Sequence, residues 1–225
     1  MYLLMFKTLR IMSLRKHILK KAVSLVLVSS GGFGVFSALN IYNENEQFYK
    51  NIVMPVVHRF NPETSHKLAV MAAKYGVIPK TKYKDPPTLG TKVWGIQFGN
   101  PLGMAAGFDK HGEAVNGLSK MGFGFVEVGS VTPKPQFGNP TPRVFRLIED
   151  DAIINRYGFN SEGHEMVHER LVNLRSSANS KDRLSPMIVG VNLGKNKDSA
   201  DSTLDYVKGI LKFSDVADYL VINIS

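Results

Sequence analysis

The second half of the chain alternates short apolar segments with helical stretches, and this alternation restricts the possible folds more than any other feature. The apolar segments cover residues 102–106, 125–128, 188–192 and 219–224, and helical patterns cover residues 113–121, 161–174 and 202–211. Alternation of strand and helix predicts an α/β fold with a parallel sheet and right-handed crossovers. A doubly wound sheet and a (β/α)8 barrel both fit. Because such a barrel takes about 250 residues, this part of the chain would hold about its first four β/α units.

An uncharged stretch of 21 residues, 22–42, lies near the N-terminus. As a helix with a rise of about 1.5 Å per residue it would reach roughly 30 Å, enough to cross the hydrocarbon core of a bilayer once. We predict a retained single transmembrane helix. The alternative is a cleaved secretory signal, but its apolar region is usually shorter and a small-residue cleavage site should follow. Asn43-Glu44-Asn45-Glu46 follows instead.

Charge and cysteine content exclude several classes of function. Residues 1–21 contain six basic residues and no acidic one, the pattern of a mitochondrial targeting segment. They account for most of the net charge of +9, so the basicity indicates a targeting tail rather than a nucleic-acid-binding surface. The absence of cysteine excludes a disulfide framework, a cysteine-ligated zinc site and a cysteine nucleophile.

Two short helical segments and a linker separate the predicted span from the α/β part. Residues 46–60 are amphipathic, and Asn61-Pro62-Glu63 is a strong helix start, with a capping Asn, Pro at the first helical position and an acidic first turn. That helix should run to Tyr75 and stop at Gly76. The two segments form either a solvated spacer or a hydrophobic mouth for a lipid-soluble molecule, and the sequence favours neither. Residues 80–91 are polar and proline-rich, as in a linker.

His164-Glu165-Met166-Val167-His168 has the form H-E-x-x-H, which binds zinc on the helix of a metalloprotease. A third ligand is missing, because Leu171 and Leu174 occupy the positions where the longer motif has Gly and His. No His follows His168 and no Glu follows Glu169. The apolar residues of this helix form an ordinary buried stripe, which places both histidines on its solvent side. We therefore predict no metal site.

Polar residues gather at the carboxyl ends of the predicted strands, where a (β/α)8 barrel builds its active site. The first strand ends in the run 105–110 (AAGFDK), and Ser130 follows the second strand. Asn192 ends the third strand, Asn223 lies at the end of the fourth, and residues 155–159 (NRYGF) lie between the second and third. Amides that donate and accept suit a planar heterocycle with imide groups, and Lys110 suits a cofactor that becomes negative on reduction. One Asn alone is more simply a turn or cap residue, but three at matching positions favour a binding site.

Four runs of sequence resemble one known family. They are PLGMAAGFDKHGEAVNGLSKMGFGFVEVGSVTPKPQFGNPTPRVFRL, INRYGFNS, GVNLGKNK and ADYLVINIS. These motifs are long and specific, and the similarity extends from about residue 44 to residue 225. The chain closely resembles class 2 dihydroorotate dehydrogenases, the membrane-bound, quinone-dependent mitochondrial form.

The resemblance implies an FMN enzyme that oxidises dihydroorotate to orotate in UMP biosynthesis and passes the electrons to ubiquinone. In that family a serine base takes a proton from one ring carbon while the adjacent carbon gives a hydride to FMN. The implied segments are a mitochondrial targeting segment at 1–21, a transmembrane helix at 22–42, a helical quinone-entry region at 43–79 and the N-terminal half of an FMN-binding barrel at 80–225. The implied location is the inner mitochondrial membrane, in contact with its lipid, with one span and the barrel on the intermembrane side.

The family's motifs also imply site residues. The expected FMN contacts are Ala106, Gly107, Phe108, Asp109, Lys110, Ser130, Asn192 and Asn223. The expected substrate contacts are Lys110, Asn155, Arg156, Tyr157, Gly158, Phe159 and Asn223. His66 and Arg146 match positions that line the quinone tunnel, although a surface charge in a hairpin would also explain Arg146.

The expected catalytic base lies just beyond the last residue of this sequence. The family's pattern after the fourth strand is N-[VI]-S-S-P-N-T, with the second serine as base, and Ser225 matches the first serine. We therefore expect no catalytic residue within the 225 residues, weak retention of FMN and no turnover by this chain alone. It is either part of a complete dehydrogenase, or a non-catalytic membrane-anchored fragment or decaying copy.

Overall fold

The structure, a computed structural model, describes residues 2–178 and 187–224. The chain divides into two compact units, Met1–Phe48 and Tyr49–Ser225. The first unit consists of the long helix α1 (Tyr2–Tyr42) and the short helix α2 (Glu46–Phe48). Within α1, the 28-residue stretch Arg15–Tyr42 contains an 18-residue window with a mean hydropathy of 1.8 and no buried residue, so its length and composition suffice for one membrane crossing. These properties fit the predicted anchor, and a signal sequence shares them.

The second unit begins with short helical segments. They are a π-helical turn (Tyr49–Val53), α3 (Met54–Val57) and α4 (Pro62–Lys74). The predicted start of α4 is confirmed, because Asn61 Oδ1 accepts a 2.9 Å hydrogen bond from the amide of Glu63 and Pro62 takes the first helical position. The helix ends at Lys74, and Gly76 follows with a φ of +71°.

A parallel sheet and its connecting helices form the rest of this unit. A 3-10 turn (Pro87–Leu89) and the hairpin of β1 (Thr91–Val93) and β2 (Ile96–Phe98) come first. The remaining elements, in chain order, are β3 (Gly103–Met104), α5 (Val115–Lys120), β4 (Phe125–Val131), β5 (Val144–Leu147), β6 (Ala152–Asn155), α6 (His164–Ala178), β7 (Ile188–Leu193), α7 (Ser202–Phe213) and β8 (Tyr219–Ile222). Strands β5 and β6 pair as an antiparallel hairpin outside the main sheet.

The order of the strands in the main sheet decides between the two predicted architectures. The strands are parallel and stand in the order β3–β4–β7–β8, which is also their order along the chain. In a doubly wound sheet the order in which successive strands are added reverses at a switch point. The described strands of the main sheet show no such reversal of order. In a (β/α)8 barrel, each new strand pairs with the preceding parallel strand, always on the same side. The fold is of this type, and the described residues form an open part of the barrel.

One face of the sheet packs against the three helices. Val126 and Val128 of β4 and Val189 and Val191 of β7 are fully buried, at alternate positions because successive side chains of a strand point to opposite faces. They form one core with residues of α5, α6 and α7, namely Val115, Leu118, Val167, Leu171 and Phe213. Residues at the intervening positions, among them Glu127 and Asn192, lie on the face that a closed barrel would enclose.

The first strand is shorter than predicted because the chain turns away at its end. Strand β3 covers Gly103–Met104 rather than 102–106, and α5 begins at Val115 rather than at 113. The carboxylate of Asp109 accepts hydrogen bonds from the amides of Glu113 (2.9 Å) and Ala114 (2.7 Å), so the chain forms a capped turn before α5. The other predicted strands and helices occur with ends shifted by a few residues.

The two histidines of the H-E-x-x-H segment lie in different surroundings. His164 is 5% exposed and packs edge-on against Phe213, with ring centroids 5.3 Å apart. Burial lowers the pKa of His164 to about 4. His168 remains partly accessible, and its Nε2 lies 3.0 Å from a carboxylate oxygen of Asp215. The prediction that both face solvent is wrong for His164, because the aromatic contact with α7 buries it. Among the side chains that the structure describes, no three potential metal ligands cluster.

Candidate functional site

Three polar side chains from neighbouring strands meet at the carboxyl edge of the sheet. Ser130 Oγ donates to Asn192 Oδ1 at 2.5 Å, and the amide nitrogen of Asn223 lies 3.0 Å from Ser130 Oγ and 3.3 Å from Asn192 Oδ1. Ser130 and Asn192 are buried. Parallel α/β folds place their binding sites at this edge, because the carboxyl ends of all strands meet there. The structure thus brings together three residues that the sequence predicted for cofactor binding.

An irregularity in β4 directs Ser130 into this cluster. Gly129 pairs with Asn192 and Val131 pairs with Leu193, so Ser130 is an extra residue in the strand, as in a β-bulge. Gly129 has a φ of +119°, and a Cβ placed on it would lie 2.5 Å from the carbonyl oxygen of Asn192. The end of this strand therefore requires glycine directly before Ser130.

A carboxylate that the sequence analysis did not single out lies next to the cluster. Glu127 Oε1 accepts a 2.9 Å hydrogen bond from the side-chain amide of Asn192, and Glu127 Oε2 accepts a 3.4 Å bond from the hydroxyl of Tyr219. Burial, and then Glu127, raises the pKa of Tyr219. Strand alternation could have identified Glu127, because residues two apart share a face and Gly129 pairs with Asn192.

The loop after β3 lies against the end of β4. The amide of Gly107 donates to the carbonyl of Gly129 (2.9 Å), and the amide of Gly129 donates to the carbonyl of Asp109 (3.3 Å). No atom lies within 4 Å of the position that a Cβ of Gly107 would take, so the backbone after the half-buried Ala106 borders open space. The carboxylate of Asp109 is buried in the turn before α5, where burial raises its pKa. Only the backbone of Asp109 therefore faces the candidate site.

Two cations contact the ring of Tyr157. Lys110 Nζ lies 4.4 Å from the ring centroid and the guanidinium carbon of Arg143 lies 5.0 Å from it, both within the range of cation–π attraction. Burial, followed by the positive charge of Arg143, lowers the pKa of Lys110 to about 8. An anionic ligand beside Lys110 would compensate for the lost hydration of its ammonium group.

Arg143 is itself held by Glu63 of α4, and neither residue was singled out as a site residue in the sequence. Arg143 Nη2 and Nε donate to the two carboxylate oxygens of Glu63 at 2.7 and 3.0 Å, a bidentate pair. Arg143 Nη1 also donates to the carbonyls of Phe137 (2.5 Å) and Asn139 (3.1 Å). The Arg143 guanidinium lowers the pKa of Glu63 to about 2. The partners are 80 positions apart, so no local pattern reveals the pair.

His66 joins α4 to the loop after β3. Its Nδ1 lies 3.1 Å from the hydroxyl of Tyr157 and its Nε2 lies 2.7 Å from the carbonyl oxygen of Phe108. Burial lowers the pKa of His66, which favours the neutral imidazole. A cavity of about 250 Å³ opens beside it, and its lining includes Val70, Met71, Tyr75, Phe108, Lys110 and Tyr157.

Arg146, the other residue predicted for a tunnel, contacts the turn before α4. Its guanidinium donates to the carbonyls of His58 (3.3 Å) and Phe60 (2.9 Å) and to Ser65 Oγ (2.8 Å). It is not among the residues that line the 250 Å³ cavity in the described part of the chain. Arg146 therefore ties the hairpin of β5 and β6 to the α3–α4 turn.

The predicted substrate segment, residues 155–159, lies in two environments. Asn155 and Arg156 are exposed at the end of the hairpin. Tyr157 turns inward, and Gly158, with a φ of +70°, lets the chain reverse behind it. The ring of Phe159 comes within 3.6 Å of the Cβ position of the glycine that follows β7. Phe159 therefore reaches the end of β7, and Tyr157 reaches Lys110 in the loop after β3.

The chain is similar to a well-defined set of known proteins. A profile described as dihydroorotate dehydrogenase matches residues 88–225. The chain is 47% identical over 211 residues to the mitochondrial dihydroorotate dehydrogenase (quinone) of Mus musculus, covering 93% of this chain and 53% of the mouse protein. It is 52% identical over 190 residues to the corresponding protein of Oryza sativa subsp. japonica, covering 77% and 40%.

A solved structure gives the same result for the fold. The DHODH of Eimeria tenella in complex with ferulenol aligns with a TM-score of 0.70 and 46% identity, over 76% of this chain and 47% of that chain. The chain spans about half the length of the curated relatives it matches. Because the family profile covers more than half of this chain, the chain belongs to the dihydroorotate dehydrogenase family.

Proposed function

We propose that this chain supplies the first β/α units of a flavin-dependent oxidoreductase that converts dihydroorotate to orotate in UMP biosynthesis and reduces ubiquinone. The observation that carries the proposal is the meeting of Ser130, Asn192 and Asn223 at the carboxyl edge of the sheet. The loop with Gly107 and Lys110 follows the adjacent strand β3 and bonds to the end of β4. Amides that donate and accept, together with a cation, are complementary to a planar heterocycle that becomes negative on reduction.

The flavin in this proposal is FMN, and the residues present fit it. The open space at Gly107, after the small Ala106, lets a flat ring approach the backbone at this position. Ser130, Asn192 and Asn223 would hydrogen-bond to the polar edge of that ring. When bound, FMN supplies the hydride acceptor for dihydroorotate and the electron donor for the quinone.

Lys110 has two roles in the proposal. Its ammonium group stabilises negative charge on the reduced cofactor and on the bound pyrimidine, which is worth most in a site shielded from water. Asn223 and the segment 155–159 hold the pyrimidine, with Tyr157 against Lys110 and Phe159 beside the end of β7. The serine base expected from the family would come after Ser225, which itself lies outside the described residues.

The 250 Å³ cavity beside α4 is the proposed place of the quinone head group. Its wall combines apolar side chains with His66 and Lys110, and Phe108 and Lys110 belong to the loop that would lie along the flavin. An apolar cavity with a few polar groups suits a lipid-soluble quinone. Arg146 contributes by fixing the turn from which α4 starts.

The proposed location is the inner mitochondrial membrane. Residues 1–21 would direct import, residues 22–42 would cross the bilayer once, and residues 43–79 would admit quinone from the lipid. Residues 80–225 would lie on the intermembrane side as the N-terminal half of the barrel, with membrane lipid and no nucleic acid among the partners. The apolar stretch Arg15–Tyr42 and the mitochondrial relatives support this assignment.

Titration of the full chain with FMN tests the proposal. In detergent, the chain should quench FMN fluorescence saturably, with weak affinity because only part of the barrel is present. Asn192→Ala should weaken FMN binding by at least about 10-fold. The change removes a neutral hydrogen-bonding side chain and leaves Ser130 and Asn223 without the oxygen to which both donate. Asn173→Ala, on the exposed side of α6, is the matched control. Equal affinity of the two variants would contradict the proposal.

A further inference from the structure

We propose that the Glu63–Arg143 ion pair is a positioning element, which acts through the ring of Tyr157 to fix the place and the electrostatic surroundings of Lys110. This inference rests on the proposed function, in which Lys110 is the cation beside flavin and pyrimidine. It adds two residues, from α4 and from the start of the β5–β6 hairpin, that act on the site without touching a ligand.

The contacts form one continuous chain from α4 to Lys110. Glu63 binds Arg143 at both carboxylate oxygens, and the side chains of both are only 10% exposed. The Arg143 guanidinium lies over the ring of Tyr157, and Lys110 Nζ contacts the same ring. His66 also holds the Tyr157 hydroxyl. Besides Lys110, two groups therefore restrain Tyr157, namely Arg143 on the ring and His66 at the hydroxyl.

Lys110 depends on this ring for its position. Within the described part of the chain, its ammonium group makes no hydrogen bond and no ion pair. It makes a cation–π contact with the ring of Tyr157 instead. A flexible four-carbon side chain without such a contact samples many rotamers. Restraint of the ring therefore reduces the freedom of the ammonium group at the site.

The Glu63–Arg143 pair also sets the electrostatic potential at the ammonium group of Lys110. The two cations cannot be farther apart than the sum of their distances to the ring centroid, so Arg143 repels the ammonium group in a partly buried setting. Glu63 acts in the opposite direction, since its carboxylate favours the protonated amine. Other titratable residues that line this cavity are His66, Lys67, Lys74, Asp109, His111 and Glu113.

The test is the pKa of Lys110 in the full chain, measured without flavin. The pH dependence of acetylation by limiting acetic anhydride gives this pKa when the Lys110 peptide is quantified by mass spectrometry against the exposed Lys80. Arg143→Met should raise the pKa, because it removes a neighbouring positive charge. Glu63→Gln should lower it. Each shift should be on the order of one pH unit, as expected for a unit charge at this range and an intermediate dielectric.

Controls separate this role from a purely structural one. The double variant Glu63→Gln/Arg143→Met removes both charges and should leave the pKa of Lys110 close to that of the wild type. Lys208→Met removes an exposed cation of α7 that does not line the cavity, and it should cause no shift. If a single variant fails to fold, its charge-conserving partner, Arg143→Lys or Glu63→Asp, should keep the wild-type pKa.

Shifts of opposite sign support the inference, and they do so whether or not the chain binds FMN. Absence of a shift in both single variants, or shifts of the same sign, overturns it. The proposed function fails by a different result, namely FMN titrations that do not respond to Asn192→Ala. The two outcomes are therefore distinguishable.

Discussion

The carboxylate of Glu127 accepts a 2.9 Å hydrogen bond from the side-chain amide of Asn192 on the neighbouring strand. This bond uses the NH₂ group of the amide, so its oxygen faces the carboxyl edge, where it accepts from Ser130 and from Asn223. Glu127 thereby determines which end of the Asn192 side chain is available to Ser130, to Asn223 and to a ligand.

Loss of Glu127 should therefore affect both stability and binding. Glu127→Ala leaves the buried amide of Asn192 without its acceptor, which costs about 1–3 kcal/mol of unfolding free energy and frees the amide to rotate. We expect a lower urea midpoint and weaker quenching of FMN fluorescence. Glu169→Ala, exposed on α6, should change neither by more than about 0.5 kcal/mol. FMN affinity equal to that of the wild type would show that Glu127 does not orient the site.

Replacement by alanine should lower the unfolding free energy to different extents at the two glycines of the site. Gly129→Ala places a Cβ 2.5 Å from the carbonyl oxygen of Asn192 at a φ of +119°, so both clash and backbone strain destabilise the strand end. Gly107→Ala meets no atom within 4 Å, at a φ of +108°, and carries backbone strain alone. We expect Gly129→Ala to lose about 3 kcal/mol or more and Gly107→Ala about 1–3 kcal/mol. Urea unfolding of both variants measures the difference, and a larger loss for Gly107→Ala would contradict the structure.

Local sequence patterns were sufficient to predict the four strands of the main sheet, the helices between them and the edge at which the site forms. Alternation of strand and helix predicted the parallel sheet, and three predicted cofactor residues, Ser130, Asn192 and Asn223, do meet there. Periodicity reports which side of an element is apolar. It could not choose between a barrel and a doubly wound sheet, because that choice depends on the order of strands in space.

The contacts that the sequence analysis missed are those between distant segments. Glu63 was interpreted as the acidic first turn of a helix, which it is, yet its carboxylate binds Arg143. Asp109 was assigned to the cofactor because of its motif, while its side chain caps the turn before α5. His164 was placed on the solvent side by the helical stripe, but α7 covers it. In each case a tertiary contact decides the surroundings.

The Glu63–Arg143 pair should contribute to acid sensitivity. Arg143 lowers the pKa of Glu63 from an ordinary 4.5 to about 2, so the folded chain binds fewer protons here than the unfolded chain at intermediate pH. The stability from this pair is complete above about pH 4.5 and is lost as the pH falls toward 2. The double variant Glu63→Gln/Arg143→Met should therefore show a shallower fall of the urea midpoint between pH 5 and pH 3. Glu169→Gln should keep the slope of the wild type, and a double variant with that same slope would contradict the prediction.

His164 should contribute a second acid sensitivity, in a higher pH range. Burial against Phe213 lowers its pKa from 6.5 to about 4, so the unfolded chain takes up a proton at this histidine before the folded chain does. Stability from the neutral imidazole is complete above about pH 6.5 and declines as the pH falls to about 4, by an amount on the order of 2–3 kcal/mol.

Replacement by an apolar side chain of similar size removes this proton uptake. His164→Leu should make the fall of the urea midpoint between pH 6.5 and 4.5 shallower than in the wild type, and the part that remains comes from the buried His66 and His111, whose pKa values burial also lowers. His168→Leu is the matched control, because its imidazole lies one turn further along the same helix and remains partly accessible. The control should keep the wild-type loss of stability in this range. A His164→Leu chain that loses stability as steeply as the wild type would show that the buried imidazole is not its source.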